Sequence, residues 1–414
     1  MSISPTLAVN EEIARRRAAG LATVALGFGE ASIPVHPALV ARLSEHAHRA
    51  DYGPVAGADV LRDAAAGYWS RRGVPTERSQ VVAGPGSKPL LYALFQALGG
   101  PVLLPRPSWV SYAAQNLLLG QVAVPVPTLP GEGGVPDPEL LVAEYQRLAR
   151  RGTRPTAVLV TLPDNPTGTV ARPDTVRRLC AAADRLGLVV LSDEIYLDLV
   201  HDEGREVLTP AQVLPARTIT TSGLSKSLAL GGWRIGLARF PAELSALRDR
   251  VVVAASELWS SAPQPVQHAA AWALGEPDEL RERIARSRLL HGRVARATAD
   301  VLTSAGAEVA GPTAGFYLYP DLSGRREALA GQDVRDAAGL ATTLLARHGI
   351  ATLPGTAFGD LPDRLALRIA TPMLYGENDE QRLRALASDR PAELPWIASG
   401  LDALGDAVRD LTRG

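Results

Sequence analysis

The sequence predicts an α/β fold with a mainly parallel sheet and a second, smaller α+β domain. Short apolar runs alternate with stretches of helical periodicity through the first 240 residues, which is typical of parallel strands covered by helices on both faces. The chain has 414 residues, 46% of them hydrophobic and 21% charged. That length favours one large domain with a smaller one over a single uniform core.

The predicted elements follow in order along the chain. A short helix over 10–20 precedes an apolar strand over 21–26. Six more apolar runs predict strands: 80–84, 101–105, 157–163, 188–194, 217–222 and 233–240. Between the third and fourth of these, Pro173 begins a helix and Gly187 ends it, which predicts a βαβ crossover.

A long arginine-rich helix begins near Asp278 and leads into the second region. That region reads as short apolar segments at 315–322, 349–355 and 365–372, a helix over 333–348 and a closing amphipathic helix over 393–411. We therefore divide the chain into an N-terminal segment (1–45) that packs with the small domain, a large domain (46–290) and a small C-terminal domain (291–414).

Charge and cysteine content exclude several classes of protein. The net charge is −1, so the chain lacks the basic excess of a nucleic-acid-binding protein. No apolar run reaches the length of a membrane helix. The single cysteine, Cys180, cannot form an internal disulfide, and the N-terminus lacks the apolar core of a secretion signal, so we expect a cytoplasmic protein.

Only two of the 43 basic residues are lysines, Lys88 and Lys226. Compositional drift toward arginine accounts for the rest. Arginine is effectively never deprotonated, so it cannot act as an amine nucleophile, whereas a desolvated lysine can. A lysine that persists in such a composition is therefore a candidate for chemistry.

Polar residues follow the predicted strands at the edge where an open α/β sheet binds its ligands. They lie in the segments GPGSK (84–88), DNPTG (164–168), DEIY (193–196) and GLSK (223–226), with Arg234 eight residues further on. Taken alone, GPGSK fits a glycine-rich turn as well as a phosphate site. In the same way, DNPTG fits an Asn-Pro turn, and the acid of DEIY fits a helix cap.

Together these segments favour one cofactor. A phosphate cradle, a lysine, a buried acid, a tyrosine and an asparagine at one sheet edge suit pyridoxal 5′-phosphate. Its chemistry needs a lysine that forms a Schiff base and an acid that keeps the ring nitrogen protonated. No metal site is predicted.

With these motifs, the sequence resembles the class I/II aminotransferases, the fold-type-I pyridoxal-phosphate enzymes typified by aspartate aminotransferase, over nearly its whole length. The stretch GLSKSLALGGWRIG (223–236) matches the family's lysine signature throughout. Other matching segments keep the family's order: 52–64, 84–88, 107–112, 164–168, 192–196 and 365–370. The resemblance implies a large domain built on a mainly parallel, seven-stranded sheet flanked by helices.

The resemblance also implies roles for individual residues. Lys226 is the Schiff-base lysine and proton carrier, Asp193 pairs with the ring nitrogen, and Tyr196 belongs to the catalytic set with them. Tyr196 and Asn165 hydrogen-bond the 3′ oxygen of the cofactor, and Trp109 stacks on its ring. The phosphate is bound by a larger set of residues: Gly86, Ser87, Lys88, Ser225, Arg234 and, from a second subunit, Tyr52. Arg368, Asn165 and Gly29 bind substrate, and the enzyme is expected to be a homodimer.

Three departures from the family pattern bear on the substrate. Residues 30–34 (EASIP) replace the usual sequence after Gly29, Gly223 stands where many members have a hydroxyl, and the stretch 371–395 is longer than expected. Phe28, Ile33, Trp259 and Tyr317 are candidates for the pocket wall, although each also fits ordinary packing.

The predicted function is transfer of an amino group between an L-amino acid and a 2-oxo acid by a ping-pong Schiff-base mechanism. The alternative keeps the cofactor but ends as a lyase, cyclase, racemase or oxidase reaction on an amino acid, since fold and cofactor do not fix the outcome. Two other classes of protein are disfavoured. A transcription regulator would need a DNA-binding module, for which the residues before the first predicted strand are too few. A nicotinamide-dependent dehydrogenase would need the complete glycine fingerprint after a strand, and the segment GPG lacks its third glycine.

Overall fold

The central feature of the fold is a seven-stranded sheet. The computed structural model describes residues 4–413. The first eight strands are β1 (Val24–Ala25), β2 (Val81–Gly84), β3 (Val102–Arg106), β4 (Ala123–Pro127), β5 (Ala157–Thr161), β6 (Val189–Asp193), β7 (Thr218–Gly223) and β8 (Gly236–Arg239). The order β2-β8-β7-β6-β5-β3-β4 forms the large sheet. Strand β8 is antiparallel to both neighbours and all other pairs are parallel, which confirms the mainly parallel prediction.

Helices cover both faces of this sheet. The helices of the first 274 residues are α1 (Pro5–Ala18), α2 (Pro37–Glu45), α3 (Asp59–Arg71), α4 (Ser87–Leu98), α5 (Val110–Leu118), α6 (Pro138–Ala149), α7 (Pro173–Leu186), α8 (Pro210–Val213), α9 (Ser245–Leu258) and α10 (Gln264–Leu274). Helix α1 does not cover this sheet, because its buried residue Ile13 packs with Ala25 and Ala351. Alternate residues of β5 divide between the faces: Val158 and Val160 join the core under α6 and α7, while Ala157 and Leu159 join the core under α4 and α9. This alternation is why strands buried on both sides read as continuous apolar runs.

A second core lies in the C-terminal region, as predicted. Its elements are α11 (Asp278–Ser304), β9 (Tyr317–Leu318), α12 (Arg326–Gly331), α13 (Ala337–His348), β10 (Ile350–Ala351), β11 (Leu353–Pro354), β12 (Leu367–Ala370), α14 (Asp379–Ala387) and α15 (Pro395–Thr412). Strands β11, β12 and β9 form an antiparallel sheet, and β1 pairs with β10 in parallel. The predicted boundary at residue 290 falls within the continuous helix α11, and the three-part division stays a prediction.

The N-terminal and edge elements differ from the prediction. Helix α1 begins at Pro5 instead of residue 10. Proline suits the first position of a helix, because the backbone N–H that it lacks would have no partner within the helix. The strand predicted over 21–26 shortens to β1. Strand β4 was not predicted: two of its five residues, Pro125 and Pro127, are proline, which is tolerated only at a sheet edge.

Two further segments complete the picture. The strand predicted over 233–240 shortens to β8, because residues 231–233 form a 3₁₀ turn and Arg234 takes a left-handed conformation with φ of 58°. The long stretch 371–395 contributes α14 to the second core, where Ala385 is buried.

Within residues 4–413 no helix is long and apolar enough to cross a membrane. The same residues hold no cluster of three or more His, Cys, Asp or Glu side chains suited to a metal ion.

Candidate active site

The carboxyl ends of the central strands meet at a cavity of about 440 Å³. Strand register sets this edge, since Asp193 at the end of β6 lies opposite Thr161 of β5 and Thr221 of β7. The predicted site residues that line the cavity are Gly29, Ser87, Lys88, Trp109, Asn165, Asp193, Tyr196, Ser225, Lys226, Arg234 and Arg368. Gly86 and Tyr52 do not line it.

Asp193 is buried at the floor of the cavity. Its Oδ2 accepts a hydrogen bond of 2.8 Å from the hydroxyl of Tyr112, while Oδ1 is buried without a partner. Burial raises the pKa of the carboxyl, and the bond from Tyr112 opposes that rise. A buried carboxylate oxygen without a donor is unfavourable, so Oδ1 is a site for a cationic or N–H donor from a ligand.

Asn165 presents a second unpartnered oxygen at the same edge. It follows β5 in a turn that Asp164 fixes, because the Asp164 carboxylate accepts from the N–H and the hydroxyl of Thr167. The side-chain Oδ1 of Asn165 is buried and makes no hydrogen bond. The amide therefore remains available to a bound ligand.

Lys226 follows β7 and points into the cavity. Its Nζ donates a 2.5 Å hydrogen bond to the carbonyl oxygen of Gly29, 197 residues earlier in the chain. Gly223, which precedes the lysine, has no room for a side chain, since a Cβ there would lie 2.9 Å from the carbonyl oxygen of Ile235. This close approach of β7 and β8 explains the glycine at a position where many family members have a hydroxyl.

The start of α4 forms an anion site with Arg234. Gly86 has φ of 103°, a conformation that favours glycine, and a Cβ there would lie 2.5 Å from Nη2 of Arg234. No side chain caps the first N–H groups of α4. Arg234 is itself held by a 2.8 Å hydrogen bond from Nη1 to the carbonyl oxygen of Gly231. Free N–H groups and a guanidinium at one helix start are suited to phosphate.

Trp109 and Lys88 form the wall beside this anion site. The Nζ of Lys88 lies 5.1 Å from the centre of the Trp109 ring, and that ring packs edge to face on Tyr112. Burial lowers the pKa of the Lys88 ammonium, and the charges of Arg234 and Lys226 lower it further. Among the described residues, no carboxylate lies within ion-pair distance of Lys88.

Arg368 is a buried cation on the opposite side of the cavity. Its side chain lies on β12 with the whole residue 1% exposed, and it donates to the carbonyl oxygen of Gly27. The guanidinium carbon is 4.9 Å from the centre of the Tyr317 ring and 5.0 Å from that of Phe358. Burial lowers the pKa of Arg368. Within residues 4–413 it has no acidic partner, since its titratable neighbours are the phenols of Tyr317 and Tyr196, so a substrate anion is its natural counter-ion.

Tyr196 is also buried, and its hydroxyl lies 2.9 Å from that of Tyr317. Burial, followed by the neighbouring Tyr317, raises the pKa of Tyr196. Tyr52, in contrast, is 91% exposed and lies outside the cavity. Its predicted role requires a second subunit.

Several cavity residues were missed by sequence reasoning. Tyr112, Thr6, Leu7 and Glu30 all line the cavity. Tyr112 lies in the matching segment 107–112, three residues after Trp109, and that spacing on a helix was the available signal. Of the suggested wall residues, Phe28 and Tyr317 line the cavity; the other two, Ile33 and Trp259, pack into hydrophobic cores.

Comparison with known proteins identifies the family. The model of the family "Aminotransferase class I and II" matches residues 23–386. An aspartate/prephenate aminotransferase from Thermus thermophilus is 33% identical over 366 residues, covering 86% of this chain and 89% of that protein. An aspartate aminotransferase from Geobacillus stearothermophilus is 30% identical, with 94% and 97% covered.

Solved structures agree with these sequence relatives. The structure of an aspartate aminotransferase from Thermus thermophilus with maleate superimposes with a TM-score of 0.81 at 29% identity, and the match covers 93% of this chain and 96% of that one. The chain belongs to the class I and II aminotransferases.

Proposed function

We propose that this aminotransferase uses pyridoxal 5′-phosphate to move an amino group from an acidic L-amino acid to a 2-oxo acid in two half-reactions. The observation that carries the proposal is the set of unpartnered polar groups around one lysine. Within residues 4–413, the buried Asp193 Oδ1 and Asn165 Oδ1 accept no hydrogen bond, and the buried cation of Arg368 has no anionic partner.

These groups fit the cofactor's chemistry. A carboxylate suits a protonated ring nitrogen, an amide suits a ring oxygen, and the start of α4 with Arg234 suits a phosphate. The residues proposed to hold the cofactor are Lys226 through its amine, Asp193, Tyr196, Asn165, Trp109, the loop at Gly86, Ser87 and Lys88, and Ser225 and Arg234. When bound, pyridoxal phosphate supplies an aldehyde for covalent attachment and a ring that takes up the electron pair of the broken Cα–H bond.

The chain's own residues then divide the work. Arg368 binds the substrate α-carboxylate through its planar fork and fixes Cα above the sheet edge. Lys226 Nζ would take the proton from the substrate Cα and deliver it to the former aldehyde carbon of the cofactor, so that the amino group stays behind when the 2-oxo acid leaves. The carbonyl oxygen of Gly29 orients that nitrogen, because it accepts from it at 2.5 Å. Asp193 keeps its negative charge opposite the ring nitrogen, assisted by Tyr112.

Lys88 supports an acidic amino donor. With Arg234 assigned to phosphate, Arg368 to the α-carboxylate and Lys226 to the cofactor aldehyde, the Lys88 ammonium is the remaining cation among the described residues of the cavity, while the backbone of Lys88 belongs to the phosphate loop. A second carboxylate on the substrate would supply its counter-ion. Relatives at 30% and 33% identity are named for aspartate, and we propose the same class of amino donor here.

We also propose a homodimer in which Tyr52 of each chain reaches the phosphate of the other. The supporting observation is that this large aromatic side chain is 91% exposed. A concentration-dependent mass measurement tests the assembly. Mixing Tyr52→Phe with Lys226→Ala chains tests the exchange of residues, because a heterodimer then restores one intact site.

A single-turnover screen tests the function. The purified protein is loaded with pyridoxal phosphate and its absorbance is followed as each amino acid is added, with Lys226→Ala as control. Acidic amino acids are expected to give the fastest conversion, and a 2-oxo acid is expected to reverse it. Loss of the amino acid without reversal by an oxo acid would instead indicate a lyase or oxidase outcome.

A further inference from the structure

The hydroxyl of Tyr317 has only site residues as partners. It lies 2.9 Å from the Tyr196 hydroxyl and 3.4 Å from the carbonyl oxygen of Gly29, the same oxygen that accepts from Lys226. Its ring lies under the guanidinium of Arg368. One buried side chain thus contacts the lysine's acceptor, the proposed donor to the cofactor and the proposed carboxylate clamp.

The backbone holds Tyr317 in register with Arg368. Strand β9 pairs with β12, and Ala370, two residues after Arg368, lies opposite Tyr317. The preceding residue, Phe316, accepts a 3.1 Å hydrogen bond at its carbonyl oxygen from the N–H of Thr371. Tyr317 and Arg368 therefore move as one unit, and the phenol is preorganised with respect to the cavity.

Proton counting determines the direction of the Tyr196–Tyr317 hydrogen bond. A phenol has a single O–H to donate. If Tyr196 donates that proton to the ring oxygen of the cofactor, it can only accept from Tyr317. The proton of Tyr317 then lies on the bond to Tyr196 and is not shared with the carbonyl oxygen of Gly29.

We propose that Tyr317 is a positioning residue, which donates to Tyr196 so that Tyr196 donates to the cofactor, while its ring supports Arg368. The inference rests on the proposed function. Hydrogen bonds in such a chain polarise one another, so a donor to Tyr196 strengthens the bond that Tyr196 itself donates. A donor to an anionic ring oxygen stabilises the deprotonated chromophore and lowers the pH midpoint of its absorbance change.

The test uses the enzyme loaded with pyridoxal phosphate and measures that pH midpoint. Tyr317→Phe removes one hydroxyl and keeps the ring; we expect the midpoint to rise by about half a pH unit, because the bond from Tyr196 weakens. Tyr319→Phe is the matched control: Tyr319 lies two residues along the same segment, bonds Asp360 and does not line the cavity. Its midpoint is expected to stay at the unaltered value.

A double-mutant cycle shows whether Tyr317 acts through Tyr196. In a Tyr196→Phe background, Tyr317→Phe is expected to leave the midpoint unchanged, since the residue through which it acts is gone. An unchanged midpoint in Tyr317→Phe alone, or an equal shift in both backgrounds, would overturn the proposal. If Tyr317→Phe does not fold, Tyr317→Met, a flexible replacement without a hydroxyl, is held to the same expectation.

Steady-state kinetics provide an independent reading. Since the ring under Arg368 remains in Tyr317→Phe, KM for the amino donor is expected to stay within about twofold while kcat falls about fivefold, the worth of one neutral hydrogen bond. A raised KM with unchanged kcat contradicts the proposal. Failure of the proposed function is distinguishable, because the unaltered chain would then either bind no pyridoxal phosphate or consume the amino acid without reversal by a 2-oxo acid.

Discussion

The two halves of the cavity are built in different ways. The sheet half comes from strand ends, with Asp193 held between Thr161 and Thr221 by register. The opposite half depends on contacts between distant segments: Gly29 with Lys226, Gly27 with Arg368 and Tyr196 with Tyr317. The sheet half is therefore specified by local motifs, whereas the opposite half exists only when both cores have packed.

The largest expected effect breaks the sheet half at its nucleophile. Lys226→Ala should lower kcat by about 10⁴-fold or more, because the chain loses both its covalent attachment point and its proton carrier. Borohydride reduction followed by peptide mass analysis should fix the cofactor to Lys226 in the unaltered protein. A fixed cofactor on Lys88 instead would show that the two lysines have been assigned the wrong way round.

The next effect breaks the opposite half. Arg368→Lys should lower kcat/KM by about 10²–10³-fold through KM, since an ammonium cannot make the bidentate bond of a guanidinium. Steady-state kinetics on the amino donor measure it. Arg364→Lys is the control, because Arg364 pairs with Asp321 outside the cavity and its loss should leave kcat/KM near the unaltered value.

A smaller effect sharpens the role of the cavity floor. Tyr112→Phe removes the donor to Asp193, so the pKa of that carboxyl should rise further above its ordinary value. We expect about a tenfold loss of kcat, and a loss of cofactor affinity that deepens as the pH falls, because protonated Asp193 no longer pairs with the ring nitrogen. Cofactor titration at several pH values checks this; equal affinity at all pH values would contradict it.

The smallest effect on activity concerns the neighbour of Asp193. Glu194 is buried on the other side of β6, where it accepts from Ser192 and has its pKa raised to about 8 by burial. Because the unfolded chain ionises near pH 4.5 and the folded chain near 8, Glu194 costs stability increasingly as pH rises between those values. Glu194→Gln should therefore raise Tm at pH 8 by about 2–4 °C relative to its effect at pH 5, with kcat unchanged.

The sheet half could be predicted because its residues directly follow apolar runs. Asp193 is the last residue of β6, whereas Asn165 follows β5 and Lys226 follows β7 within four residues, and a mainly parallel sheet brings such positions to one edge. The hydrogen bond between Tyr112 and Asp193 was not predictable, since it spans 81 residues and depends on how α5 packs.

The opposite half required information that no local pattern carries. The contact between Gly29 and Lys226 spans 197 residues, and Gly29 follows β1, a strand whose partner β10 lies more than 300 residues later in the chain. Arg368 stood out among many arginines only through its apolar surroundings and the family resemblance. The start of α1, whose Thr6 and Leu7 line the cavity, was placed too late because residues 5–9 carry no apolar periodicity of their own.

The prolines of β4 affect how the protein can self-associate at high concentration. A strand at the rim of a sheet is a template on which a strand from another molecule can add. Pro125 and Pro127 have no backbone N–H to donate to such an added strand. Growth of the sheet beyond its seventh strand is disfavoured on that side, so self-association there must proceed through side chains and not through a shared ladder.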